Sequence, residues 1–210
     1  MSPVLLEKPA DHIALLRMNR PEAMNALNTA TRETLCEHFE ALTFDDDVRC
    51  IVITGNEDVF IAGADLKEIS TKQTADWAFG DARRMWRVIA ACPKPIISAV
   101  NGFALGGGCE LALSTDVIVA GEGAQFGQPE IRVGIIPGGG GTQRLVRAIG
   151  KYRAMKLLLT GEFVAAQDAL EMGFVSEVVP DAEVLERAMK LAGKIVRQLP
   201  LAVKLTKEVV

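Results

Sequence analysis

Twelve of the chain's 19 glycines fall between Ser98 and Arg144, and this clustering restricts the fold more than any other feature. They are Gly102, Gly106, Gly107, Gly108, Gly121, Gly123, Gly127, Gly134 and Gly138 to Gly141. Glycine loses more conformational freedom on folding than other residues, so such a concentration marks backbone that turns sharply or approaches something closely. Two carboxylates, Glu110 and Glu130, follow directly after two of these segments. Backbone N–H groups beside a pair of acids suit an acyl substrate whose carbonyl oxygen gains negative charge.

Around this stretch, strand and helix patterns alternate. Residues 4–19 predict two short strands around a turn at Lys8-Pro9-Ala10-Asp11, the second alternating through Ile13, Leu15 and Arg17. A helix follows, with Thr31 as its cap and Leu35, Phe39 and Leu42 on one face. Cys50 to Thr54 is a buried strand closed by Gly55, and Val59 to Lys67 is a strand running through Gly63 into a helix capped by Asp65. Residues 74–91 predict a helix with Trp77, Arg84, Met85, Val88 and Ile89 on one face, ended by Pro93 and Pro95 before the strand Ile96 to Val100. Within the glycine-rich stretch, a helix is expected over about 108–113, a strand over 117–120, and a further helix after Pro137-Gly138. Beyond Lys151, helices are expected at about 151–159, 165–172, 183–198 and 201–210, with a strand at 175–179. This alternation argues for an α/β or α+β fold with crossover connections. The last helical pattern is still running at Val210 without a glycine or proline stop, so the chain is expected to be a truncated form.

Composition narrows the function. A length of 210 residues suffices for one sizeable core, or one domain with a helical appendage. The net charge of −4 and the lack of a basic–aromatic stripe argue against nucleic acid, and no apolar run reaches the length that spans a bilayer. Cys36, Cys50, Cys92 and Cys109 form no CxxC pair, and with only His12 and His38 there is no metal-ligand spacing. The N-terminus has no signal or transit character, which predicts a cytoplasmic protein. A nucleophilic Cys109 lacks a local histidine partner and reads better as a small apolar residue beside glycines.

Rival readings of the glycines fail on spacing. No glycine precedes Lys-Ser or Lys-Thr as a Walker loop requires, and the GxGxxG pattern breaks at Leu111 and at Gln143. Close helix–strand packing accounts for single glycines but not for the acids that follow them. Taken alone, Glu110 is a first-turn acid favoured by the helix dipole and Glu130 a solvated loop acid. Joined with Gly107 and Ala64 as N–H donors at strand–helix junctions, the set favours a site.

These residues resemble the crotonase superfamily, and within it the enoyl-CoA hydratases. The resemblance is carried by Asn19-Arg20-Pro21 with Asn25-Ala26-Leu27, by Ala62 to Lys67, by Asn101 to Leu111, by Phe126 to Glu130, and by Gly134 to Gly138 running into Gly141 to Leu145. It implies a spiral of β-β-α repeats over residues 1–195, followed at 196–210 by the start of helices that form a homotrimer or a dimer of trimers. It also implies addition of water across the C2=C3 bond of a trans-2-enoyl-CoA, with the backbone N–H groups of Ala64 and Gly107 as the oxyanion hole. Glu110 is then the base toward water and Glu130 the acid at C2, with Gln128 orienting Glu130 and the Gly138 N–H beside the water. Coenzyme A, part of the substrate rather than a cofactor, is expected along Ala23, Met24, Ala62 and Ala64, with Lys67 at a phosphate; Glu22 stands where many relatives carry lysine. Family isomerases lack an acid at the Glu110 position, so two acids favour hydration. An isomerase, a hydratase of branched or aromatic-pathway acyl groups, and an RNA-binding or scaffold member stay open as alternatives. Phe79, Met85, Trp86 and the region from Val133 to Ile136 are candidates for the acyl pocket.

Overall fold

The computed structural model describes residues 1–69 and 82–210, and its strands fall into two sheets. The larger sheet runs in the order β1 (Val4–Ala10), β2 (Ile13–Met18), β3 (Cys50–Thr54), β5 (Ile96–Val100), β7 (Val117–Gly121) and β10 (Glu177–Val179). Its strands are parallel apart from the β1–β2 hairpin. The smaller sheet holds β4 (Val59–Ile61), β6 (Phe103–Leu105), β8 (Gln125–Gly127) and, antiparallel to β8, β9 (Phe163–Ala165). Three successive strand pairs, β3–β4, β5–β6 and β7–β8, each put one strand in either sheet before a helix returns the chain. This is the expected spiral of β-β-α turns.

Strands β3 and β5 are buried at every residue, and the two-residue period of a strand explains how. On one face, Ile51, Ile53, Ile96 and Val100 join Leu35 and Phe39 of α1 (Thr29–Phe44) and Met85 and Ile89 of α3 (Ala82–Ala91). On the other, Cys50, Val52, Ile97 and Ala99 meet Ala188 and Ala192 of α8 (Val184–Ile195). Full burial of each such isoleucine or leucine contributes ~1.5–3 kcal/mol. The remaining helices are α2 (Leu66–Ile69), α4 (Gly107–Ala112), α5 (Gly141–Ile149), α6 (Lys151–Thr160), α7 (Ala166–Met172) and α9 (Pro200–Val209).

Several local expectations shift. Asn28, not Thr31, caps α1: its Oδ1 accepts from the Thr31 N–H at 2.9 Å and the Thr31 hydroxyl at 2.7 Å. The first hairpin turns at Asp11-His12, where His12 takes a φ of 64°, because β1 continues through Pro9 to Ala10. Helix α5 starts at Gly141 rather than directly after Gly138, and β6, β8 and β9 were not expected as strands. At three residues each, they are too short to show an alternating pattern. Met85 belongs to the core, while Trp77 and Phe79 lie outside the described residues.

Candidate active site

The path from β6 into α4 delivers the first acid. Gly106 turns this corner at φ 50° and ψ −122°, a conformation closed to other residues without strain, and a β-carbon on it would sit 3.2 Å from Glu130 Oε1. The first turn of α4 then carries Glu110, only 3% exposed. Its Oε1 accepts from the N–H groups of Gly139 at 2.7 Å and Gly141 at 2.8 Å. That loop is itself clamped, since Arg144 of α5 donates from Nη1 to the Gly139 carbonyl at 2.7 Å.

Glu130 stands in the first turn of the 3-10 segment Pro129–Val133. Gln128, 1% exposed, donates to Glu130 Oε1 at 3.1 Å and Oε2 at 3.3 Å in the amide orientation that satisfies both groups. The two acids are held differently. Burial pushes the Glu110 carboxyl above its usual range, while the Gly141 and Gly139 amides and then the Arg144 charge draw it back. Glu130 is pushed up to about 7, mainly by burial and further by the Glu110 charge, while its own backbone N–H draws it down. Near neutrality one acid is therefore supplied with donors for its anion, and its neighbour retains a proton readily.

Ala64 and Gly107 come together across the two halves of the glycine-rich architecture. Leu27 bridges Ala64 in parallel fashion through its N–H to the Gly63 carbonyl, at 2.8 Å, and through the Asp65 N–H to its own carbonyl, at 3.2 Å. Such a bridge turns the Ala64 N–H to the opposite side. A β-carbon on Gly107 would lie 4.0 Å from the Ala64 nitrogen, so the two amides are neighbours. Gly107 opens α4, where an N–H has no intrahelical acceptor, and neither amide donates to another described residue.

The remaining expected residues line one seam. The fully buried Asn25 donates from Nδ2 to the Val59 and Phe60 carbonyls at 3.1 and 3.2 Å and accepts from the Arg20 N–H at 2.9 Å. The Ala62 N–H donates to the Met24 carbonyl at 3.1 Å, and Arg20 pairs with Asp65 at 3.1 Å. These bonds hold Met24 and Asn25 in left-handed conformations and bring Ala23, Met24 and Ala62 beside Ala64. Lys67 is exposed on α2. Gly138 is not a donor to Glu110; it lines an adjoining cavity of about 450 Å³ with Arg83, Trp86 and Arg87. A second cavity, lined by Val48, Lys94, Ile195 and Val203 among others, opens at the opposite end of the large sheet, away from both acids.

Sequence reasoning missed the Gly139 and Gly141 amides as the donors to Glu110, the Arg144 clamp and the role of Asn25. The available signal for Arg144 was a cation one helical turn beyond four consecutive glycines. Cys109 keeps a neutral thiol, its pKa pushed up to about 12 by burial. Among the described residues no group of three His, Cys, Asp or Glu is placed to hold a metal ion, and no helix is long and apolar enough to cross a membrane.

Comparison with known proteins gives the family and supports the fold. The family model described as enoyl-CoA hydratase/isomerase matches residues 8–210. A 2,3-dehydroadipyl-CoA hydratase from Escherichia coli (strain K12) is 48% identical over 204 residues, covering 97% of this chain and 80% of that protein. A short-chain-enoyl-CoA hydratase from Clostridium acetobutylicum is 42% identical over 210 residues, 99% of this chain and 80% of that protein. Among solved structures, an enoyl-CoA hydratase from Bacillus anthracis superposes with a TM-score of 0.94 at 38% identity, over 98% of this chain and 81% of that one.

Proposed function

This chain belongs to the enoyl-CoA hydratase/isomerase family, and we propose that it adds water across the C2=C3 bond of trans-2-enoyl-CoA thioesters. The observation that carries the mechanism is the unequal treatment of two adjoining acids. Glu110 receives two N–H bonds suited to an anion, while Glu130 is raised to about 7. Glu110 takes a proton from water as its oxygen bonds to C3. The electrons of the double bond move onto the thioester oxygen, where the Ala64 and Gly107 N–H groups receive the charge. Each such donor contributes ~3 kcal/mol in other enzymes. Glu130, steered by Gln128, then delivers its proton to C2, and one proton exchanged between the acids or with solvent restores the starting state. The Gly138 N–H stands beside the water in this reading.

Coenzyme A lies along Ala23, Met24 and Ala62, with Lys67 toward a phosphate; the seam that joins these residues to Ala64 supports this path. No separate cofactor is required, because every step is a proton transfer or an addition. Residues 1–195 form the catalytic spiral and 196–210 take part in oligomer formation, giving a homotrimer or a dimer of trimers. Exposed Leu201, Leu205 and Val209 on α9 support that assignment. The buried free thiols of all four cysteines suit a cytoplasmic location. We expect this chain to abolish the conjugated-thioester absorbance of crotonyl-CoA, and Glu110→Gln and Glu130→Gln each to cut turnover at least about a hundredfold with the fold intact. Near-normal turnover in either variant removes that residue from the mechanism.

A further inference from the structure

We propose that Trp86 is a positioning residue for hydration: its indole closes the solvent side of Glu110 and leaves Oε2 of that acid facing only the water that is added. This rests on the hydratase reading and names a residue that acts through the base. Oε1 of Glu110 is occupied by the Gly139 and Gly141 amides at 2.7 and 2.8 Å, whereas Oε2 accepts from no described residue. Oε2 is therefore the oxygen open to take a proton.

The indole stands next to it. A β-carbon on Gly139 would lie 2.3 Å from Cε2 and Cζ2 of Trp86 and 2.7 Å from Glu110 Oε2, so ring edge and carboxylate share one narrow gap. Gly139 does not take a left-handed φ as Gly134 and Gly140 do. Space, not backbone conformation, excludes a side chain there, as a close ring–carboxylate contact demands. Trp86 packs, partly buried, against the main core, to which Met85 and Ile89 fasten α3. It also lines the cavity of about 450 Å³ with Arg83, Arg87 and Gly138, and Glu110 is not part of that lining. The ring and the Gly138 backbone thus separate the cavity from the carboxyl. An apolar wall in place of water disfavours the anion and makes Glu110 a stronger base. It also keeps other water from competing with the molecule aligned on C3. The charged and titratable groups about this carboxyl are Arg144 on α5, Glu130 after β8 and the Cys109 thiol, with Arg83 and Arg87 beside the ring in the cavity; the test alters none of them.

The test follows kcat and KM for crotonyl-CoA against pH in Trp86→Ala, Trp86→Gln and Trp86→Phe, with thermal unfolding of each. Ala and Gln admit water to the carboxyl. We expect kcat to fall about tenfold, KM to stay within about twofold, and the acid limb of kcat/KM, where Glu110 must be ionised, to move to lower pH. Loss of a positive neighbour such as Arg144 would move it the other way. Trp86→Phe keeps an apolar ring and should restore the limb and most of kcat. If Trp86→Ala does not fold, Gln and Phe, which fill more of the space, decide the matter. A limb that stays or rises in folded Trp86→Gln overturns the proposal, as does a change confined to KM or an equal loss of kcat in Trp86→Phe. These outcomes leave the hydratase reading standing, whereas no turnover by the unaltered chain overturns both.

Discussion

A buried acid that titrates near neutrality ties catalysis to stability. With its pKa raised to about 7, Glu130 binds its proton more tightly in the folded chain than in the unfolded one. Its contribution to stability is full below the ordinary glutamate value of 4.5 and is lost as pH rises through about 7. Glu130→Gln has no proton to lose. Urea unfolding at pH 8 is expected to find that variant more stable by ~1–2 kcal/mol, a figure discounted for water's access to the carboxyl, and the gain should vanish near pH 4. A gain of equal size at both pH values would refute the assignment. The same titration predicts that kcat/KM for crotonyl-CoA declines as pH climbs through about 7, as the acid form is consumed. Both glutamates were legible in the sequence because each follows a glycine segment. Their division into base and acid came through the resemblance and not from the residues themselves, because the amides that favour the Glu110 anion come from a loop 29 and 31 residues downstream, which only folding brings near.

The loop before α5 and the cap of α1 show how elements hold the site in place. Arg144→Gln removes both the bond to the Gly139 carbonyl and a positive neighbour of Glu110. The acid limb of the kcat/KM profile should move to higher pH and turnover should fall by about tenfold, whereas a merely structural role would leave the limb in place. Asn28→Ala deletes the α1 cap and should cost about 1 kcal/mol in thermal or urea unfolding. Legibility among the elements followed burial. The fully covered β3 and β5 stand out as short, mostly apolar runs, and α8 by its spacing of Val184, Ala188 and Ala192. The three-residue strands β6, β8 and β9 are defined mainly by their neighbours in the small sheet, so no local pattern announces them.

For the molecule as a whole, apolar surface remains to be covered. Leu199, Leu201, Leu205 and Val209 around α9 and Val133 and Ile136 near Glu130 are all exposed. We expect light scattering after gel filtration to report a trimer or a multiple of it, and Leu201→Glu with Leu205→Glu to shift the mass toward the monomer. A monomer before any substitution would refute the oligomer reading. The spiral was reached through family resemblance, since its turns repeat as a chain path and not as a recurring set of residues. That distinction has a consequence for ancestry. The Gly139 and Gly141 amides that grip Glu110 belong to the peptide itself, so replacements elsewhere leave them in place; only proline at these positions, or a shift of the main chain such as a β-carbon on Gly139 would force against Trp86 at 2.3 Å, removes them. Descendants of such a protein are therefore free to rewrite the walls around a substrate, and so to change diet, while inheriting the same chemistry through the course of the backbone.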